Sequence, residues 1–447
     1  MGVLDRAISW AWRALLGLFV ITALYQGYAV LPGLHGHSLY SLLQRVLLFA
    51  LPPVVAWWLY RGYRQGLGLL GLYCAWGVWL ALRYQTASPH TYYTFYYLWT
   101  QVGGLLLLLA LWVLARHPAW FRTTVAAALT VFYLATLAVA TWEVRTAHHL
   151  AASRSLGPPP SHVPTGFFFD PNNLGVAMAL LIPFMAALPV WYRRPWMRIA
   201  SAALVLYGLW VLFETGSRGG ELELVIAAVA AIASLPAQHR RRWGAVALLT
   251  LLALALVVFG LNRLPASHLP FALQKLRDLV HLVWLSSNPS QGPGSVRIRL
   301  ALMQGGILAL LHHPLGLGPR GAEQYFAYWV HHGAPFNTYG VVDAHNMWLE
   351  AAIDGGWPGL ILWVAAYVLL MRRVASLSRE RAPFLRYLYW AGWPGLWGFI
   401  LGSLSPSSVF LGFQLMWVFL GILIGATVLA QTQHQPLRMR HQLRHLG

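Results

Sequence analysis

The sequence predicts an all-α membrane protein with about twelve transmembrane helices, and composition and apolar run length are the observations behind this prediction. The chain has 447 residues, of which 58% are hydrophobic and only 10% are charged. Soluble proteins usually carry about 25% charged residues. Apolar stretches such as 245–261 approach the roughly 20 residues that a helix needs to cross a bilayer. The composition is therefore that of a polytopic membrane protein.

Hydropathy gives the order of the predicted spans. The first helix is interpreted as retained, because no small-residue cleavage site follows its apolar run as it would in a signal peptide. The single cysteine, Cys74, lies within an apolar segment, which excludes a disulfide framework. A long connection, 263–345, is predicted to form a large, partly helical extracytoplasmic loop before the tenth helix. The spans are placed near 11–31, 39–60, 66–83, 95–115, 123–143, 173–192, 199–214, 219–236, 243–262, 346–371, 386–404 and 407–430.

The distribution of arginine predicts the orientation of these spans. The net charge is +19, and Lys275 is the only lysine. Basic residues concentrate in both termini and in alternate short loops, whereas the intervening loops "LPGLHGH", "QTASPHTYY" and "SLSPSS" have none. The positive-inside rule therefore places both termini in the cytoplasm. Because loop arginines of this kind also bind anionic lipid, the basic charge does not indicate nucleic acid binding.

Three polar patches fall on the predicted outer face, and the first is "TGFFFDPNNLG" at 165–175. Asp170 and Pro171 form a turn-initiating pair, and asparagine, here Asn172, suits a helix N-cap. Capping of the sixth span would by itself explain this patch. The functional interpretation is that Asp170 and Asn172 shape a sugar site.

The second patch, "ETGSRGGELE" at 214–223, joins the seventh and eighth spans by a tight turn. It holds Arg218 at the outer interface, where a charge is costly and is usually paired or functional. A salt bridge to Glu214 or snorkelling to lipid phosphate would satisfy this charge structurally. The flanking glycines allow close backbone approach, and free amides at a helix start favour an anion. The patch therefore predicts a phosphate-sized site.

The third patch begins within the long loop. Arg297 and Arg299 open the amphipathic segment "GSVRIRLALMQGGI", and Arg320 follows a glycine-rich turn. The loop also contains two histidine pairs, at His312, His313, His331 and His332. Adjacent histidines rarely bind one metal from a helix, and neither an HExxH motif nor a cysteine ligand accompanies them. Zinc binding is therefore disfavoured.

The patch ends in "DAHN", at the entrance of the tenth span. Histidine is the usual general base near neutral pH, which makes His345 a candidate base. Asp343 and Asn346 are candidates to orient its imidazole. The structural alternative is that His345 is only a hydrogen-bonded helix cap.

In this order, the patches resemble the O-antigen ligase and polymerase superfamily of bacterial cell-surface glycan assembly. The resemblance covers roughly residues 166–363, and it is carried by "GFFFDPNNLGVAMALLIPF", "TGSRGG", "SVRIRLALMQGGILALLHHPLGLG" and "HNMWLEAAIDGGWPGL". Two features depart from the family pattern. Glu221 and Glu223 follow "TGSRGG", and Pro319 and Arg320 occupy the glycine turn.

The resemblance implies a GT-C-like glycosyltransferase that passes a glycan from undecaprenyl diphosphate to an acceptor hydroxyl, without a metal or other cofactor. It implies inversion at the anomeric carbon, with His345 as the base. Arg218 and Arg299 correspond to the family's essential arginines, with Arg297 as a near alternative. Further residues interpreted as diphosphate- or sugar-binding are Arg320, Asp170, Asn172, Asp343 and Asn346.

The expected location is the bacterial inner membrane, with the active site facing the periplasm or exterior. The expected partners are the lipid-linked donor, a glycan or lipid-glycan acceptor, and membrane lipids. The chain divides into N-terminal helices with their following loop, a ligase-like catalytic core, two C-terminal helices, and a basic cytoplasmic tail. These segments are 1–165, 166–371, 372–430 and 431–447.

Other functions remain open at this point. Within the family, ligation, chain polymerisation and protein O-glycosylation use the same catalytic residues. A ligase is the preferred interpretation. A lipid-linked glycan flippase is a different class, and it would need polar residues at mid-membrane and inverted repeats. Arg45 and Glu223 are the main charges within predicted spans, whereas the polar patches gather on one face. This disfavours transport.

Overall fold

The structure, a computed structural model, describes residues 3–25, 38–85, 92–150, 161–242, 244–245, 295–333, 336–406 and 408–444. Within these ranges the chain forms helices joined by turns, with no β-strand. The helices, numbered in chain order, are α1 (Val3–Leu24), α2 (Leu39–Tyr60), α3 (Leu67–Tyr84), α4 (Tyr92–Leu114), α5 (Pro118–Thr146), α6 (Pro171–Trp191), α7 (Pro195–Thr215), α8 (Arg218–Ala233), α9 (Ser295–His312), α10 (Gly321–His332), α11 (Met347–Ser376), α12 (Pro383–Gly402), α13 (Val409–Gly412) and α14 (Gln414–Arg444).

Eight of the described helices are long and apolar enough to cross a membrane, namely α2 to α7, α11 and α14. The predicted all-α polytopic membrane protein is thereby confirmed. The number twelve stays a prediction, because α1, α8 and α12 are not among these eight helices. In addition, the predicted span 243–262 lies outside the described residues except for residues 244 and 245. The predicted span 407–430 was wrong at its start, because Ser408 caps the one-turn helix α13 and a new helix begins at Gln414.

One hydrophobic core extends from Leu16 in α1 to Ala430 in α14. Within it, α12 packs against both α6 and α8. Gly398 and Gly402 of α12 face α8, where an added Cβ atom would collide with the backbone or side chain of Glu223. Small residues at a helix crossing let membrane helices approach closely. This packing fixes the starts of α6 and α8 relative to the end of α12.

Helices α9 and α10, with the first half of α11, form a smaller unit that we call the cap. Its core contains Phe326, Phe336 and Ile353. Gly305 of α9 packs so closely on Phe336 that a Cβ atom would overlap the ring. The described part of the long loop is therefore folded and partly helical, as the sequence predicts. Residues 263–294 of that loop lie outside the described part.

The cap is attached where α11 kinks at Gly356, whose φ is 63°. The kink exposes backbone carbonyls of α11, and the turn after α9 satisfies them. The Leu317 N–H donates to Ile353 O (2.9 Å), and the Gly318 N–H donates to Asp354 O (2.9 Å). A Cβ atom at position 356 would also collide with the backbone of this turn. Glycine is needed there for both its positive φ and its small size.

Candidate active site

The starts of α6, α8 and α11 lie together at one end of the bundle. Gly175 in α6 packs against Ser217, directly before α8, and a Cβ atom at 175 would collide with the serine. Gly219 in the first turn of α8 packs in the same way against Ser405, in the turn after α12. That turn also accepts a backbone hydrogen bond from Met347, the first residue of α11. Glycines in the sequence patches therefore serve to bring helix starts into contact.

Side chains from the polar patches cap these three helices. Asp170 caps α6, Ser217 caps α8 and Asn346 caps α11, each accepting from a backbone N–H at 3.0–3.3 Å. The prediction of Asn172 as a cap is wrong. Helix α6 begins at Pro171, whose fixed φ suits the first helical position, so Asp170 occupies the N-cap. Asn172 lies half-buried in the first turn.

Five residues singled out in the sequence come together beside these caps. Arg299, half-buried near the start of α9, interacts electrostatically with Arg218 and Asp170. His345 interacts electrostatically with Asp343, Arg299 and Asp170. These residues come from four separate stretches of the chain. The cap and the ends of α6, α8 and α11 therefore contribute to one cluster.

Two guanidinium groups are held near each other in this cluster. Burial lowers the pKa of Arg299, the neighbouring Arg218 lowers it further, and the Asp170 carboxylate acts in the opposite direction. Arginine stays protonated in proteins even so. Two like charges in a poorly solvated region repel each other, and an anion between them would relieve that repulsion. The cluster is therefore suited electrostatically to an anionic group.

The backbone of His345 has a φ of 47°, in the left-handed region that non-glycine residues rarely occupy. Its Nδ1 lies 3.2 Å from the carbonyl oxygen of Ser405. A carbonyl can only accept, so Nδ1 carries the proton in the neutral ring and Nε2 is left as the basic nitrogen. Strain of this kind persists only where surrounding contacts enforce it. The imidazole is thus oriented by Ser405, while Asn346 is engaged in capping α11.

Burial lowers the pKa of His345 from its ordinary value of 6.5. The hydrogen bond to Ser405 and the Asp343 carboxylate raise it, and Arg299 lowers it again. The net direction is downward, so the ring is neutral at pH 7. A neutral imidazole with an unprotonated Nε2 is able to accept a proton.

Arg320, directly before α10, is paired with a carboxylate in the first turn of that helix. Its guanidinium donates to both carboxylate oxygens of Glu323 and lies 5.1 Å from the ring centroid of Tyr93. The hydrogen bond to Glu323 raises the pKa of Arg320, and Asp343 adds to this. The charge of Arg320 is therefore already paired within the protein. The role of Arg320 in binding diphosphate stays a prediction. The side chain of Arg297 lies outside the described part of the structure.

A buried carboxylate that the sequence interpretation missed holds the loop before α6. The Glu143 side chain accepts from Thr165 N (2.7 Å), Thr165 Oγ1 (2.9 Å) and Gly166 N (2.7 Å). This anchors the start of the stretch that leads to Asp170. The signal was present in the sequence, since an acidic residue at the end of the apolar span 123–143 needs a partner.

A second missed carboxylate, Glu350, lies behind the cluster in the first turn of α11. It accepts hydrogen bonds from the hydroxyls of Tyr97 and Ser408 and from the Val409 N–H (3.2 Å). These bonds tie α11 to α4 and to the turn that carries Ser405. Glu350 therefore supports the position of His345 through the backbone around it.

Replacing Glu143 with alanine is expected to lower the thermal stability of the protein. The substitution removes the acceptor of the buried Thr165 and Gly166 N–H groups, and an unsatisfied buried group costs roughly 1–3 kcal/mol. Thermal unfolding of the purified protein in detergent would measure this, with Glu143→Gln as the control that keeps one acceptor oxygen. An unchanged melting temperature in Glu143→Ala would contradict the anchoring role.

Comparison with known proteins finds a family match over the part of the chain that holds most of this cluster. The family model described as O-antigen ligase matches residues 202–364, the segment that contains Arg218, Arg299 and His345. The predicted resemblance to the O-antigen ligase and polymerase superfamily is thereby confirmed over this segment. Asp170 lies before the matched segment.

The chain is also similar to the teichuronic acid biosynthesis protein TuaE of Bacillus subtilis (strain 168). The two are 24% identical over 299 residues, which is 65% of this chain. The chain matches 58% of the length of that relative.

Proposed function

We propose that this protein transfers a glycan from undecaprenyl diphosphate to an acceptor hydroxyl, as an inverting glycosyltransferase that needs no metal. The observation that carries the proposal is the cluster of Arg218, Arg299 and His345, with Asp170 and Asp343, at the starts of three helices. It joins an anion-binding region to a base, which are the two functions that a diphosphate leaving group and a hydroxyl acceptor require.

The diphosphate would lie between Arg218 and Arg299. Guanidinium groups bind phosphate oxygens in a bidentate way and stay charged. The N-termini of α6, α8 and α11 add the positive ends of three helix dipoles. These groups would stabilise the charge that develops on the diphosphate as its bond to the anomeric carbon breaks.

His345 would act as the general base through Nε2. The acceptor hydroxyl gives its proton to Nε2 while its oxygen attacks the anomeric carbon. The bond from that carbon to the phosphate oxygen breaks, and undecaprenyl diphosphate leaves as an anion. Attack from the face opposite the leaving group inverts the anomeric configuration. Asp343 and Asp170 would stabilise the imidazolium that forms.

The orientation follows from the arginine distribution. The cluster lies at the ends of α6, α8 and α11 that face away from the arginine-rich short loops, such as the one containing Arg193, Arg194 and Arg198. We assign this end to the extracytoplasmic side of the bacterial inner membrane, with both termini in the cytoplasm. A lipid-linked donor held at the outer surface would meet its acceptor there.

Among the reactions that share this chemistry, we place ligation onto a glycan or lipid-glycan acceptor first. Chain polymerisation and transfer to protein are the alternatives within the class. The relative named for teichuronic acid biosynthesis supports surface-glycan assembly as the process in either case. A flippase is disfavoured because the charged cluster lies at one end of the bundle.

One assay tests the proposal and separates these alternatives. Purified protein in nanodiscs is given a radiolabelled glycan on undecaprenyl diphosphate, together with candidate lipid, sugar or peptide acceptors and EDTA. We expect a labelled acceptor product whose amount equals the undecaprenyl diphosphate released. Stepwise lengthening of the glycan on its own carrier would indicate a polymerase, and absence of any transfer would contradict the proposed function.

The pH dependence of transfer is expected to reflect the lowered pKa of His345. The base must be unprotonated, so kcat/KM falls as the pH decreases through that pKa. Because burial lowers the pKa from 6.5, more than half of the rate is retained at pH 6.5. Measurement of kcat/KM from about pH 5 to about pH 8 checks this. A midpoint at or above 6.5 would contradict the proposed environment of His345.

A further inference from the structure

A cavity lies in the cap, at the opposite end of α9 from Arg299. Its volume is about 310 Å³, at the lower end of the range for small-molecule sites. It is formed by the C-terminal end of α9 and one face of α10. The side chains that matter for its chemistry are His312, His313, Gln324, Tyr325, Tyr328 and Trp329. We call this cavity the cap pocket.

The aromatic side of the cap pocket is held rigidly. Tyr325, Tyr328 and Trp329 follow the i, i+3, i+4 spacing that places residues on one helix face. The Tyr325 ring is stacked with Phe336 at 6.4 Å, which belongs to the core of the cap. The Tyr328 ring is stacked on His332 at 4.1 Å. The rings are therefore preorganised, and binding would cost little side-chain entropy.

The polar side of the pocket is formed by imidazole and amide groups. His312 is the last residue of α9 and His313 directly follows it. Gln324 donates a hydrogen bond from its amide to Thr94 Oγ1 (3.3 Å). Imidazole and amide groups can each donate and accept hydrogen bonds. No Asp, Glu, Lys or Arg is among the residues described as lining the cavity. The site is therefore suited to a neutral ligand with hydroxyl groups, and it lacks the arginines that a phosphate would call for.

The combination of flat aromatic faces and hydroxyl-binding edges matches a sugar ring. A pyranose has apolar C–H faces and a rim of hydroxyls, so its face can pack on the tyrosine and tryptophan rings while the rim bonds to histidine and glutamine. A lipid tail is a poorer match, because it would leave the histidines and Gln324 without hydrogen-bonding partners.

We propose that the cap pocket binds a sugar unit of the glycan chain, remote from the anomeric carbon that reacts. This rests on the proposed function and extends it to the substrate. His312 lies thirteen positions after Arg299 in α9, which corresponds to about 20 Å along a helix. A glycan extending from the cluster would have to be several sugars long to reach the pocket. The protein would therefore select long glycans over single sugars.

Binding measurements on the full-length protein in nanodiscs test this independently of catalysis. The probe is a length series of fluorescently labelled oligosaccharides, prepared by hydrolysis of the surface polysaccharide of the source cells. Tyr328 is 55% exposed, so Tyr328→Ala removes ring area without opening the core. We expect it to weaken binding of the longer oligosaccharides about tenfold, the size of one aromatic contact. Tyr328→Phe should bind like the wild type.

A matched control lies on the same helix. Val330 is 41% exposed and does not line the pocket, so Val330→Ala should leave oligosaccharide binding unchanged. All variants should bind undecaprenyl diphosphate as the wild type does, which also verifies their fold. Equal oligosaccharide binding by Tyr328→Ala and the wild type would overturn the pocket assignment. The pocket assignment would also be overturned if the wild type bound undecaprenyl diphosphate but no oligosaccharide. That outcome would not contradict the proposed function.

Transfer assays then identify which substrate supplies the sugar. Donors carrying one or several repeats are compared on one acceptor, and full and truncated acceptors on one donor. If the pocket holds the glycan of the donor, Tyr328→Ala raises KM only for the long donor. If the pocket holds the acceptor, Tyr328→Ala raises KM only for the full acceptor. An equal effect on every substrate, short ones included, would overturn the proposal.

Discussion

Replacing His345 with alanine is expected to lower kcat for glycan transfer by roughly 10²–10⁴-fold, the contribution usual for a general base. The half-buried imidazole has its Nδ1 directed to Ser405 O, which leaves Nε2 as the atom that takes the acceptor proton. Loss of that nitrogen removes the group proposed to take the proton of the acceptor hydroxyl. The measurement is radiolabelled glycan transfer by purified variants at saturating donor.

A second variant separates the chemistry of His345 from its structural role. Asparagine tolerates the left-handed backbone at this position and can still donate to Ser405 O, so His345→Asn should fold normally yet remain inactive. Both variants should bind undecaprenyl diphosphate as the wild type does, because the arginines are intact. His239→Ala, at an exposed site near the other end of α8, serves as the control. Full activity in His345→Asn would show that His345 is not the base.

Conservative replacement of the two clustered arginines is expected to produce the second large effect. Arg218→Lys and Arg299→Lys keep the charge but lose bidentate binding, and each should reduce kcat by about 10²–10³-fold, as loss of one charge-stabilising donor does. The double variant should be less impaired than the product of the single effects, because both groups act on one diphosphate. The same transfer assay measures all three variants.

Arg320→Lys provides a comparison with these variants. The Arg320 guanidinium is bound to Glu323, so Arg320→Lys is expected to be less impaired than Arg218→Lys. If Arg320→Lys were as impaired as Arg218→Lys, the diphosphate site would have to include the turn directly before α10. If Arg218→Lys turned over normally, bidentate phosphate binding at this position would be excluded.

Much of the fold was predictable because the hydropathy of a span depends only on residues that are close together in the sequence. Helix α2 coincides with the predicted span 39–60, and the all-α polytopic class is confirmed. The separate one-turn helix α13 was not predictable from hydropathy, since this stretch is apolar and the start of α13 is fixed by contacts of Ser408 with the distant Glu350. The kink at Gly356 likewise depends on hydrogen bonds from the turn after α9.

The candidate site likewise contains residues that the sequence predicts and supporting residues that it does not. Arg218, Arg299 and His345 stand out in the sequence because charged or titratable groups at a membrane surface have few structural reasons to be there. Their supporting residues do not stand out, because the partners are far apart along the chain. Ser405 lies 60 residues from His345. Only the fold brings that carbonyl to the imidazole.

The central claim is that Arg218, Arg299 and His345 act on one lipid-linked diphosphate donor. The most direct measurement is equilibrium binding of labelled undecaprenyl diphosphate, paired with single-turnover transfer, on the same purified variants. We expect His345→Asn to bind the lipid normally without transferring glycan. We expect Arg218→Lys and Arg299→Lys to bind the lipid more weakly and to transfer glycan more slowly. Normal lipid binding by the two arginine variants, or glycan transfer by His345→Asn, would contradict the account.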